Sequence, residues 1–191
     1  MESLQKMVDE MKKKEKAIHI LVNNAGATWG SDLEDISPAS YHRVMDLNVK
    51  SLLFLTIGLL PELKAGGSVD VPSRVINIGS IQGIVIGRQS HVYDASKAAV
   101  HHLTKALAGQ LASDNVLVNA IALGFYETSM TKGSIEAVGL ENAVYNIPLG
   151  RAGQPREIAG LCLFLASRAS TYIVGSTIVM DGGVIAGKSA L

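Results

Sequence analysis

Tyr93 and Lys97 stand four residues apart in the stretch "HVYDASKAAV". On a helix, positions four apart lie one above the other on the same face, so the ammonium would sit beside the phenol. A phenol ordinarily titrates near 10, too high for efficient proton transfer near neutrality. A cation at about 4 Å contributes roughly 4 kcal/mol at an effective dielectric of ~20, equivalent to around three pKa units. On this reading Lys97 carries Tyr93 into the useful range. Ser80, thirteen residues upstream at the end of "SRVINIGS", can hydrogen-bond the same substrate oxygen as the phenol. Asn48, in "LNV", offers an amide, or the backbone it perturbs, to hold a water beside Lys97 and pass the proton on. Such a set suits reversible proton transfer at a carbonyl or alcohol oxygen. No side chain can donate a hydride, so the hydride must come from a cofactor.

These residues are far apart in sequence, and an alternation of strands and helices has to bring them together. "AIHILV" is a short apolar run that ends at Asn23-Asn24. The spacing predicts a helix over 38–60, opened by "SPAS" with proline in its first turn. "SRVINIGS" reads as a strand, 92–112 as a long helix, and "DNVLVNAIAL" as a third strand. An irregular stretch with a short helix runs to about Gln154. Then "PREIAGLCLFLAS" gives a helix and "GSTIVMDGG" a last strand. Continuously apolar strands alternating with helices predict a parallel sheet covered on both faces. Ligands of such sheets bind beyond the carboxyl ends of the strands. "NNAG", Ser80 and "GFYET" all fall at that edge.

Composition narrows the field. The 191 residues are 48% apolar, a length and content suited to one domain. Acidic and basic residues balance at 17 each, which argues against a nucleic-acid partner. The longest apolar run, 52–60, is far short of the ~20 residues that span a bilayer, so no membrane partner is expected. The opening segment mixes its lysines with four acids and lacks a signal-peptide pattern. Leu4, Met7, Val8 and Met11 give it one apolar helical face. Cys162 is the single cysteine and reads as a buried small hydrophobe. With no internal disulfide to form, it fits a reducing, cytoplasmic compartment. The five histidines show no metal-ligand spacing and read as surface or packing residues. His101 and His102, being adjacent, point apart on their helix. Trp29 reads as a substrate-side or lid residue.

Taken together, "NNAG" (23–26), Asn48, Ser80 and "YDASK" (93–97) resemble the short-chain dehydrogenase/reductase family, as do "RAGQPREIA" and the late "DGG". The resemblance runs from about Ile18 to Gly183. Within the family it is to 3-oxoacyl-acyl-carrier-protein reductase-like, rhamnolipid-type members. It implies a Rossmann-type, doubly wound parallel sheet and an oxidoreductase that uses NADP or NAD, NADP being favoured, on a small-molecule carbonyl or alcohol, for instance a 3-oxoacyl substrate. It also implies roles: Tyr93 as general acid/base, Lys97 lowering its pKa and binding the nicotinamide ribose, Ser80 orienting the substrate, and Asn48 supporting the relay. Asn23 and Gly26 would approach the adenosine side of the cofactor. Gly124, Tyr126 and Thr128 would lie along the nicotinamide. No metal is implied. A dimer or tetramer built on the helices at 38–60 and 92–112 is implied as well.

Two features depart from the family pattern. Leu123 precedes Gly124 where the family has proline. The family's opening strand and TGxxxGxG phosphate-binding turn do not occur in this sequence. The chain therefore reads as an N-terminally truncated version of the fold, a single incomplete domain over 1–191. The alternative reading is a non-catalytic product or subunit that associates only with complete relatives.

Overall fold

A computed structural model describes residues 2–187. Its framework is a parallel four-stranded sheet flanked by helices. The strands are β1 (Ile20–Asn23), β2 (Ser73–Ser80), β3 (Val116–Leu123) and β4 (Thr177–Met180), arranged in that order across the sheet. In register, Asn23 faces Asn77, Ser80 faces Leu123, and Leu123 faces Met180. The carboxyl ends of the strands therefore lie at one edge, as the alternation predicts. β2 and β3 are buried along nearly their whole length, enclosing Arg74, Asn77 and Asn119 together with their apolar residues.

One face of the sheet is covered by α1 (Glu2–Lys14), α3 (Ser51–Gly58), α4 (Leu60–Gly66) and α5 (His91–Leu111). Val8, Leu59, Leu63, Ala108 and Leu111 close there on Leu21, Val75, Val116 and Val118. The other face is covered by α8 (Pro155–Ala166), whose Leu165 meets Ile76, Ile78 and Ile121. Cys162 lies at the margin of this second cluster, half-buried rather than fully enclosed. β1 follows the alternation of an edge strand. Leu21 and Asn23 point inward, while Ile20 and Val22 remain 49% and 44% exposed.

The helix expected over 38–60 is not continuous. α2 (Pro38–Met45) opens with a capping box in which the Ser37 hydroxyl accepts from the Ser40 amide. It then widens into a π turn at Asp46–Lys50 before α3 begins. α3 and α4 meet at a bend of 58° beside Pro61. α2 and α3 together with α4 pass a length-and-composition test for a bent membrane pair, but no single helix among the described residues is long and apolar enough to cross a membrane. Two short helices, α6 (Lys132–Val138) and α7 (Leu140–Val144), occupy the irregular stretch after β3.

Candidate active site

α5 carries Tyr93 and Lys97 on the face turned toward the end of β2, and both are buried. The loop that leads from Ser80 to α5 is held from within. Asp94 accepts from the Gly87 amide at 2.8 Å and from the Ser90 hydroxyl at 2.7 Å, and Gln82 donates to Ser90 at 3.3 Å. Ser80 caps the turn at Ile81–Gly83 by accepting from the Gln82 amide at 3.2 Å. This arrangement brings the Ser80 hydroxyl beside the Tyr93 phenol, where it favours the ionised form. The pair that the sequence placed thirteen residues apart is thus one unit.

The electrostatics differ from the sequence expectation. Burial raises the Tyr93 phenol above its ordinary value; the Ser80 bond opposes this, and Asp94 adds to it. Lys97 does not supply the expected large downward pull. Its Nζ donates to the Ile78 carbonyl at 2.8 Å and lies 5.6 Å from the centre of the Tyr93 ring. Burial lowers Lys97 itself to about 8. The correction has a simple cause. Both groups lose water together, and the ammonium is turned toward a backbone oxygen rather than toward the phenol oxygen.

Asn48 sits in the π turn and is almost fully buried. Its Oδ1 accepts from the Ala27 amide at 2.7 Å, and its Nδ2 donates to the Ala27 carbonyl at 2.9 Å and to Ser96 Oγ at 2.9 Å. The amide is therefore a clamp on the loop after β1, with both Nδ2 hydrogens used and one Oδ1 lone pair left over. Gly26 lies beside this clamp. A Cβ there would stand 3.3 Å from Asn48 Oδ1 and 3.7 Å from Lys97 Nζ, so its absence keeps a gap open between the two.

The remaining expected residues divide. Asn23 does not offer its side chain to a ligand. Its Nδ2 donates to Asn77 Oδ1 at 2.8 Å and to Thr56 Oγ1 at 3.2 Å, in the buried interior between sheet and helices. Its parity with Leu21 on the strand is the reason. Tyr126 is buried with its ring against Gly153, close to the ion pair that Arg151 makes with Glu157. Its ring belongs to the wall of a cavity of about 380 Å³ at the ends of β3 and β4, not to the Tyr93 side. Gly124 closes onto β4, donating to the Met180 carbonyl at 2.9 Å. Thr128 is exposed, with its amide donating to Thr131 Oγ1 at 2.9 Å. Trp29 is also exposed, with the Arg43 guanidinium 5.2 Å over its ring. Its loop is tied to the one before α5 by Ser31 donating to the Gln89 carbonyl at 3.0 Å.

Sequence reasoning missed Ser96 and Asp94. Both lie inside "YDASK", and their place in the motif was the available signal. Among the described residues no cluster of His, Cys, Asp or Glu could hold a metal ion.

A family model described as Enoyl-(Acyl carrier protein) reductase matches residues 1–185. The chain is 42% identical over 168 residues to the rhamnolipids biosynthesis 3-oxoacyl-[acyl-carrier-protein] reductase of Pseudomonas aeruginosa, an alignment covering 87% of this chain and 66% of that protein. The chain belongs to the short-chain dehydrogenase/reductase family. The 3-oxoacyl-[acyl-carrier-protein] reductase FabG of Thermotoga maritima is a second family member similar to it, 36% identical over 96% of this chain and 73% of that one. Among solved family structures, the Pseudomonas aeruginosa RhlG/NADP active-site complex superposes with a TM-score of 0.90 at 39% identity, over 95% of this chain and 72% of that chain. The chain thus spans about two thirds of the length of the Pseudomonas family member it matches.

Proposed function

We propose that this chain carries the catalytic apparatus of an NAD(P)-dependent oxidoreductase that reduces a carbonyl, or oxidises the corresponding alcohol, with a 3-oxoacyl thioester as the favoured substrate. The contact between the Ser80 hydroxyl and the Tyr93 phenol, over the buried Lys97 ammonium, carries the reading. Tyr93 donates its proton to the substrate oxygen and Ser80 holds that oxygen beside the phenol. A positioned acid of this kind contributes roughly 10²- to 10⁴-fold. Lys97 keeps a positive charge below the phenol and hands a proton toward the widened backbone of the π turn.

Lys97 would hold the nicotinamide ribose of a dinucleotide, and the small gap at Gly26 beside it lets the backbone approach the cofactor. Gly124 and Thr128 lie at the same sheet edge, at the end of β3 and in the segment after it. Bound there, the nucleotide supplies the hydride. NADP is favoured over NAD because the superposed Pseudomonas structure is an NADP complex and the Pseudomonas relative is named for 3-oxoacyl reduction.

A homo-oligomer and a cytoplasmic setting belong to the same reading. Tyr41, Leu47, Phe54 and Ile57 are exposed along α2, the π turn and α3, and Cys162 is a free thiol. A second reading, a chain that acts only beside a partner covering β1, is favoured by the exposure of Ile20 and Val22.

The experiment is carbonyl reduction by the purified chain, followed by NADPH consumption with a 3-oxoacyl thioester. Tyr93→Phe removes one hydroxyl and should abolish the rate with the circular-dichroism spectrum unchanged. A Tyr93→Phe variant that keeps most of the rate refutes the assignment. A wild-type chain that turns over only after a partner is added supports the second reading.

A further inference from the structure

His101 takes no part in the chemistry above, yet it is 8% exposed and lies one turn beyond Lys97 on the same face of α5. Its imidazole is wedged against the segment that carries Ser80. A Cβ on Gly79 would stand 2.3 Å from His101 Nε2, and one on Gly83 would stand 2.8 Å from His101 Cε1. The two glycines bracket Ser80 and its turn, and both are in direct contact with the ring. Nε2 has no hydrogen-bond partner among the described residues. A neutral imidazole tolerates that position through its unprotonated nitrogen, whereas a protonated one would hold a buried N–H with nowhere to donate.

We propose that His101, in its neutral form, is a positioning residue that sets Gly79–Gly83 against α5 and so holds the Ser80 hydroxyl on the Tyr93 phenol. The surroundings agree. Burial depresses the imidazole below its ordinary value, and the charges of Lys97 and Lys105 depress it further, against a smaller opposing interaction with the Gly83 backbone. Both lysines are on its own helix. β2 and the turn after it bring Gly79 and Gly83, and β3 brings the Ile121 carbonyl near Gly79, none of them titratable. Protonation of His101 therefore adds a second cation next to Lys97 in a dry region. The segment that must give way is the one bearing Ser80.

The proposal rests on Tyr93 and Ser80 being the reacting pair. Its test reads geometry without cofactor or turnover, so a chain that reduces no carbonyl still decides it. The probe is the ¹³C shift of Tyr93 Cζ in the full chain, two helical turns from the substituted side chain, with Ser80→Ala marking where the signal falls once the bond is lost. His101→Ala should move Cζ toward the Ser80→Ala position. His101→Gln, which keeps most of the volume and stays neutral, should return it to the wild-type position. In the wild type, Cζ should follow the His101 ring as it protonates below its ordinary pKa, and in His101→Gln it should stay flat over the same range. If His101→Ala does not fold, the titration of wild type against His101→Gln decides alone. A His101→Ala spectrum that coincides with wild type at Tyr93, or a wild-type Cζ that stays flat while His101 titrates, overturns the proposal.

Discussion

Replacing Lys97 by methionine should make the protein more stable and less active, with the gain in stability vanishing as the pH rises. Lys97 is 5% exposed, and among the described residues its ammonium donates to the Ile78 carbonyl. Burial brings it from 10.5 down to about 8. Since the folded pKa lies below the unfolded one, the unfolded chain binds more protons between those values, and the stability of the wild type rises with pH across that window. The penalty is complete below pH ~8 and is relieved toward pH ~10.5. From the two pKa values, the wild type should recover roughly 2–3 kcal/mol between pH 7 and 10 relative to a variant that cannot titrate there. Methionine fills a similar volume without a charge but leaves the Ile78 oxygen unpaired, which costs about 1 kcal/mol. At pH 7 the variant should then be ahead by roughly 2 kcal/mol, and near pH 10 it should fall level or behind. Urea unfolding of both proteins at pH 7, 8, 9 and 10 measures the difference, from which titrations common to the two cancel. A difference that does not change with pH would refute the argument, because it would mean that Lys97 is charged to the same degree folded and unfolded.

Other outcomes follow from the same geometry. Asn48→Ala leaves the Ala27 amide, the Ala27 carbonyl and Ser96 Oγ without their partner. At about 1 kcal/mol each, the loss should approach 3 kcal/mol in urea unfolding, and a loss under 1 kcal/mol would show that water replaces the amide. Calorimetric titration of the 191-residue chain with NADPH should give binding weaker than micromolar, since its sequence holds no TGxxxGxG turn to cradle the pyrophosphate. Micromolar affinity would mean that some other segment takes the phosphates. Light scattering at micromolar concentration should find a dimer or tetramer, reduced by Phe54→Ser together with Ile57→Ser, and a clean monomer would contradict the helix-face argument.

Much of this was legible in the sequence because the signals were periodic. Tyr93 and Lys97 stand four positions apart, and α5 does present both on its buried face. The largely apolar stretches of β2 and β3 announced strands covered on both sides, which fixes Ser80 at the ligand edge. What escaped was direction. The place of Asn23 at the end of β1 suggests a ligand-facing residue, although its parity with Leu21 points it into the interior. Tyr126 lies beyond the end of β3, where no period says which way a ring turns, and it turned toward Gly153. The π turn was hidden as well. Val44, Asn48, Leu52 and Thr56 are buried at intervals of four, wider than the 3.6 of an α-helix, and the extra residue in the turn lets them share a face. A polar Asn in that series did not look like a core residue. Nor could spacing reveal that the Lys97 ammonium would choose a backbone carbonyl on a neighbouring strand.

The polar residues beneath the site share a chemical type, and the type explains why one lysine dominates the pH behaviour. Thr56, Asn23, Asn77 and Thr104 form a row in which Asn23 donates to Thr56 and Asn77, and Asn77 donates to Thr104 at 2.9 Å. Thr104 and Thr56 pass their own hydroxyl protons back to Val100 and Leu52 carbonyls at 2.8 Å. The row ties α3 to β1, β2 and α5 through groups that both donate and accept. Neutral amides and hydroxyls can cross a sheet in this way without burying a charge, whose desolvation would cost several kcal/mol. Asn48 and Ser96 extend the same neutral chemistry to the loop after β1. Beside them Tyr93 stays protonated, because burial raises it, and His101 stays neutral, because burial lowers it. Among these buried groups Lys97 is the one left to carry charge at neutral pH, with the Asp94 carboxylate half-buried beside Tyr93.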